Sequence, residues 1–275
     1  MTEFKSRRIA AVVLACSCLV ACGKDAARTQ KSGSRTTAVV QKTDDSAAGT
    51  VDLGGGSYKP GPVTSSGSLA GTIKLDGAAP APVAIDIDQK ICGTTAESPV
   101  TTSAKTGGLG GVVVWIANIT TGKPFPIDKR AELSSEKCAL DPRVQGVVVG
   151  TTVNVFNDDK LLHKLVFTPL GTHDTLTAMP FFNEGQVVAS ERLAKSPGIV
   201  EVRCVQHPWT HAYIAVFDHP YFDVTEDDGS FKIDSLPPGT YTVNLWHEGM
   251  AKPVTQSVNI AANGTARIDL PIKLQ

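Results

Sequence analysis

Residues 198–220 read G-I-V-E-V-R-C-V-Q-H-P-W-T-H-A-Y-I-A-V-F-D-H-P. Val200 and Val202 alternate with Glu201 and Arg203, the two-residue period of a half-buried β-strand. The strand ends at Cys204. A short turn then carries His207 ahead of Pro208 and Trp209, and a second alternating run, His211 to Phe217, leaves it. A thiol and an imidazole three residues apart on such a turn can face one point in space. A thiolate with imidazoles in a trigonal arrangement, tuned by a weak axial group, is a ligand set that copper favours.

Upstream, Val147–Thr151 and Thr152–Phe156 predict a strand, a turn at Gly150 and a second strand. Asn157-Asp158-Asp159 is a turn, and His163 leads into Leu165-Val166-Phe167. The run V-G-T-T-V-N-V-F-N-D-D-K-L-L-H (residues 149–163), followed after a long gap by C-V-Q-H-P-W (204–209), resembles the cupredoxins. These are blue-copper electron-transfer proteins of the amicyanin and plastocyanin type, and the resemblance spans roughly Cys138 to Phe217. It implies a Greek-key β-sandwich holding copper through His163, Cys204 and His207. Amicyanins place an axial methionine three residues after the second histidine, where this chain has Thr210. The axial position is then empty, the preferred reading, or filled by His211 as a candidate fourth ligand.

The N-terminus has the order of a secretory signal. Lys5, Arg7 and Arg8 precede an apolar run from Ile9 to Val20, too short for a comfortable transmembrane span. Leu19-Val20-Ala21-Cys22-Gly23 resembles a bacterial lipobox, which implies removal of residues 1–21 and lipidation of Cys22. An ordinary signal peptide with an incidental cysteine is the alternative. Gly at position 23, in place of the Asp that signals inner-membrane retention, points to an outer membrane, facing the periplasm. Residues 22–67 are poor in apolar side chains and read as a flexible tether.

From residue 68 the texture changes to short strands. Leu69–Leu75 and Val112–Ile116 predict strands in the segment 68–130. At the other end, in 221–275, D-D-G-S-F (227–231) runs towards L-P-P-G-T-Y (236–241). This run, with a G-x-I-like strand at Leu69–Leu75, resembles carboxypeptidase-regulatory-like β-sandwich modules. The two matches flank the copper-type segment, 131–220. The expected fold is therefore all-β, a cupredoxin-like sandwich inserted in a second one.

Six cysteines refine the metal reading. Cys16 and Cys18 leave with the signal and Cys22 is acylated, so Cys92, Cys138 and Cys204 remain in an oxidising setting. Three cannot all pair. Cys92 and Cys138 lie outside the ligand turns, which makes a Cys92–Cys138 disulfide the preferred pairing and Cys204 the odd thiol. An inert buried Cys204, or a disulfide that includes it, is the alternative.

Loss of the signal takes Lys5, Arg7, Arg8 and Glu3, so 26 basic and 27 acidic side chains become 23 and 26. That balance gives no electrostatic case for nucleic acid. Asp227-Asp228-Gly229 lacks the further spaced acids of a calcium loop. His173, His219 and His247 read as surface or hydrogen-bonded histidines, and Trp115, Trp209 and Trp246 as core, with Trp209 able to shield one side of a metal. No G-x-S-x-G, C-x-x-C-H or Gly-rich phosphate loop occurs, so no enzyme is expected. The first expectation is a membrane-tethered copper protein passing single electrons to a partner the sequence does not name, or carrying copper. The second is a structural or binding lipoprotein whose metal site has degenerated.

Overall fold

Short apolar runs, broken by turn residues before they reach helical length, make strands throughout the computed structural model, which describes residues 51–54, 57–96, 98 and 100–275. The signal segment, Cys22 and the first part of the tether lie outside the described residues. In chain order the strands are β1 (Lys59–Pro60), β2 (Gly67–Leu75), β3 (Val113–Ile116), β4 (Thr121–Gly122), β5 (Arg130–Glu136), β6 (Ala139–Asp141), β7 (Val144–Val148), β8 (Thr152–Asn157) and β9 (His163–Pro169). They continue as β10 (Thr177–Phe181), β11 (Gln186–Ser190), β12 (Gly198–Cys204), β13 (His211–Phe217), β14 (Phe222–Val224), β15 (Ser230–Leu236), β16 (Gly239–Trp246), β17 (Val254–Ile260) and β18 (Thr265–Ile272). One helical turn, α1 (Gln89–Cys92), and a 3-10 turn at Arg192–Ala194 are the helical elements among the described residues. The protein is all-β.

Apart from the two-stranded β1-β4 ladder, the strands form two pairs of sheets. In the first, a five-stranded sheet ordered β10-β9-β12-β13-β7 faces a four-stranded sheet ordered β11-β8-β5-β6. Between them lies a core that includes Leu133, Val155, Leu165, Phe167, Phe181, Val202 and Ile214. The second pair, β14-β3-β16-β17 and β15-β2-β18, draws strands from both ends of the chain and encloses Leu69, Ile73, Val114, Phe231, Val243 and Ile268. Glycine is required at particular corners. Gly150 turns β7 into β8 at φ 83°, and Gly229 sits at φ 80° with its α-carbon so close to Ile73 O that a Cβ would stand 2.1 Å from it.

The strand that leaves the ligand turn is central. In β13, Ala212, Ile214 and Val216 enter the core of the first pair, while Tyr213, Ala215 and Phe217 enter a third core with Trp115, Trp246 and Leu53. The alternation read in His211–Phe217 is thus not one of burial, because a second sheet covers the other face. Truncating a buried aromatic in this seam, such as Phe217, costs about 3–5 kcal/mol.

The end of the expected tether is also ordered. Leu53 is 1% exposed within the third core, β1 pairs in parallel with β4, and Tyr58 Oη donates to Lys123 O at 2.5 Å. Isolated apolar residues in a polar segment suffice when a core formed elsewhere offers them a place.

Candidate metal centre

The β12 ladder delivers Cys204 to the end of the five-stranded sheet, where it pairs with Leu165 of β9. The turn that follows is closed by Cys204 N–H donating to Thr210 O at 3.0 Å and Thr210 N–H donating to His207 O at 2.9 Å. Val205 N–H donates to Lys164 O at 2.9 Å, and Lys164 N–H to Gln206 Oε1 at 2.8 Å, so the turn is tied to the start of β9, where His163 sits. A hairpin and its neighbouring strand thereby bring together three side chains that are 41 and 3 residues apart.

Cys204 Sγ lies 3.5 Å from His163 Nδ1 and 3.5 Å from His207 Nδ1, and the two Nδ1 atoms are 3.2 Å apart. All three residues are buried, at 4%, 0% and 1% exposure. A point equidistant from the three donor atoms is about 2 Å from each, the length of a metal–imidazole bond. Two imidazoles and a thiolate closing a triangle of that size fit a copper ion in trigonal coordination.

The outer ring nitrogens are held by carboxylates. His163 Nε2 meets Asp159 Oδ2 at 2.9 Å, and His207 Nε2 meets Asp88 Oδ2 at 3.2 Å. A carboxylate behind a ligating imidazole fixes its tautomer and orientation and raises its basicity. Asp159 is itself fixed, accepting from Lys137 N–H at 2.6 Å, Cys138 N–H at 2.9 Å and Ser135 Oγ at 3.2 Å. Sequence reasoning placed Asp159 in a turn without a role, although its place four residues before His163 was a signal. Asp88 lies 119 residues from His207 and had none.

The electrostatics favour a bound cation. Burial disfavours the Cys204 thiolate, but hydrogen bonds from both imidazoles and from the Gln206 and His207 amides outweigh it and pull the thiol down to about 6. Burial likewise disfavours a charged His163, yet the bonds to Asp159 and Cys204 raise it to about 9, and His207 is raised in the same way by Cys204 and Asp88. Burial opposes ionisation of Asp159 too, and His163 with the Cys138 and Lys137 amides holds its carboxyl below the usual range.

Cys92 and Cys138 form a disulfide, and Cys204 is a free, buried thiol. His211 stands apart from the triangle. Its Nε2 faces Glu248 Oε2 at 3.1 Å and abuts Arg143 Nη2. Thr210 donates its hydroxyl to Cys138 O. Trp209 is half-buried with its ring 5.3 Å from that of His207. His219 and His247 are buried, not superficial, each accepting a backbone N–H two residues on, and burial holds both at about 4. His173 is exposed.

Comparison with known proteins yields partial likenesses. The profile of the family "Polysaccharide lyase family 4, domain II" matches residues 217–268, which overlaps most of the segment 221–275. The search of curated proteins found no match. Among solved structures, the Cu-containing nitrite reductase of Thermus scotoductus SA-01 aligns at 20% identity and TM-score 0.29, over 38% of this chain and 25% of the reductase. The chain thus spans a quarter of that protein. The purple cupredoxin of Nitrosopumilus maritimus aligns at 19% identity and TM-score 0.26, over 31% of this chain and 98% of the cupredoxin. Amicyanin from Paracoccus versutus aligns at 19% identity and TM-score 0.28, over 33% of this chain and 83% of the amicyanin.

Proposed function

We propose that this is a cupredoxin-like copper protein that passes single electrons at the cell envelope, tethered there through a lipidated Cys22. The convergence of Cys204 Sγ, His163 Nδ1 and His207 Nδ1 on one point carries the reading. His163 and His207, on losing their protons, would supply nitrogen donors and Cys204 a thiolate, and copper held there would offer a one-electron couple. The chain's own part is to keep the ligands still. Asp159 and Asp88 fix the two rings, the Gln206 and His207 amides support the sulfur, and burial excludes water. A ligand frame that does not rearrange suits electron transfer, because both oxidation states accept a similar trigonal geometry.

Copper titration of the purified chain, read by visible absorption, tests this. One equivalent and an intense thiolate band are expected, and Cys204→Ser should abolish the band. Failure of the unmodified chain, with Cys92–Cys138 closed and Cys204 a free thiol, to bind copper would assign it to the structural class, with a degenerate site. For the anchor, Cys22→Ser should release the protein from membranes or block its maturation. A variant that fractionates with membranes like its parent would refute lipidation.

A further inference from the structure

Residues 83–96 form a loop that closes on itself, through Ile85 N–H donating to Thr94 O at 2.9 Å and Ala96 N–H donating to Val83 O at 2.8 Å. Its tip carries Asp88 and the single turn α1, with Cys92 N–H donating to Asp88 O at 2.9 Å. From this tip Asp88 reaches His207 Nε2. Ile85, Cys92 and Ala96 pack with Cys138, Leu161 and Trp209 alongside the ligand turn. Without this strap, the Nε2 edge of His207 would lose its carboxylate and much of its cover.

The disulfide joins the two halves of this arrangement. Cys92 is one hydrogen bond from Asp88, which holds His207, and Cys138 is one hydrogen bond from Asp159, which holds His163. Donor atoms of Cys92, Cys138 and His207 lie within 4.8 Å of one another. The two arms are unequal. Asp159 is buried and fixed by Ser135, Lys137 and Cys138 of the sandwich itself. The Asp88 side chain is 45% exposed and belongs to a loop that Cys92–Cys138 cross-links to the sandwich.

We propose that the 83–96 strap is a disulfide-latched cover over His207, with Asp88 as the residue that positions that ring. A dithiol reductant opens the latch. The S–S bond breaks, Cys92 and Cys138 each gain one electron and one proton, and the reductant's two thiols become a disulfide. The strap then leaves the His207 edge, while His163 stays closed behind Asp159. For copper retention the inference rests on the proposed metal site. The gating of His207 itself does not.

Carbethoxylation of the metal-free chain by diethyl pyrocarbonate, mapped by peptide mass with and without a dithiol, reads the latch directly. With the disulfide closed, His207 should react roughly tenfold or more slowly than exposed His173. Reduction, or the double variant Cys92→Ser/Cys138→Ser without reductant, should bring His207 close to His173 and leave His163 slow. Asp88→Ala should accelerate His207 with the disulfide intact, and Asp88→Asn, which keeps an acceptor, should restore protection. Equal His207 reactivity in the closed and reduced forms overturns the latch. So does equal acceleration of His163, or collapse of the near-ultraviolet dichroism, since either makes the disulfide a general staple of the fold. In the loaded protein, the double serine variant should lose copper to a chelator roughly tenfold faster than the parent. A chain that binds no copper refutes the metal site and leaves the carbethoxylation result to decide the latch.

Discussion

Two polar clusters flank the start of β13, four residues apart in sequence, and they are built on opposite principles. In the Arg143–Glu248–His211 cluster, Arg143 Nε donates to Glu248 Oε1 at 2.6 Å and Nη2 to Oε2 at 2.8 Å, with His211 against the same carboxylate. The guanidinium and the carboxylate answer one another charge for charge, so the pair needs no further ion. In the other, a thiol and two imidazoles turn their donor atoms inward to one point while carboxylates brace the rings from behind. A cluster that neutralises itself stabilises a fold, whereas one that converges on a point is arranged for a guest cation. On the proposed reading, His211 does structural work and His207 ligand work.

The sharpest way to break this comparison is Glu248→Gln. It leaves the Arg143 guanidinium without its bidentate partner at a 22% exposed site. A loss of about 3 kcal/mol in denaturant unfolding is expected, the low end of the range for one partner of a buried pair because Arg143 retains some solvent. Copper stoichiometry should not change. Loss of copper binding in this folded variant would show that the two clusters are not separate.

The clusters should also differ in pH response. Burial disfavours the Glu248 carboxylate, but His211 and Arg143 pull it down to about 2. A depressed folded pKa contributes stability present above the ordinary value of 4.5 and lost as pH falls towards 2, on the order of 3 kcal/mol for Glu248. In the metal-free ligand cluster, His163 raised from 6.5 to about 9 contributes stability that fades as pH rises through that window. Cys204, lowered from 9.0 to about 6, contributes stability that grows over nearly the same window. The two slopes oppose each other, and the raised His207 adds to the falling one, so unfolding free energy should decline only gently from pH 6.5 to 9. Copper held at the proposed site would displace the His163 proton there, and its affinity should rise roughly tenfold or more per pH unit up to about 9. A pH-independent affinity over that range would contradict the imidazolium–thiolate pair.

The smallest effect is expected for His211→Ala. Glu248 keeps both bonds to Arg143, so the loss should be about 1 kcal/mol, that of one hydrogen bond. The visible copper band should keep its position and intensity. A bleached band would return His211 to the ligand set.

Local chemistry was legible in the chain. The two-residue period of Val200 and Val202 gave β12, the spacing of Cys204 and His207 put both on one turn, and the Asn157–Asp159 turn led to His163. Each rests on neighbours in sequence, where strand periodicity and turn geometry act directly. The Cys92–Cys138 pair followed from counting thiols, and the structure contains it. Folding alone decided what stands behind each ligand. Strand parity puts His211 on the Tyr213 face of β13, but only the packing of the second sandwich places Glu248 there. Asp88 reaches His207 across 119 residues because a disulfide and a small apolar cluster hold its loop, and Leu53 is ordered because a core built by distant strands receives it. Periodicity and spacing are properties of adjacent residues, whereas the partner of a buried charge is whatever the tertiary fold brings within about 3 Å of it.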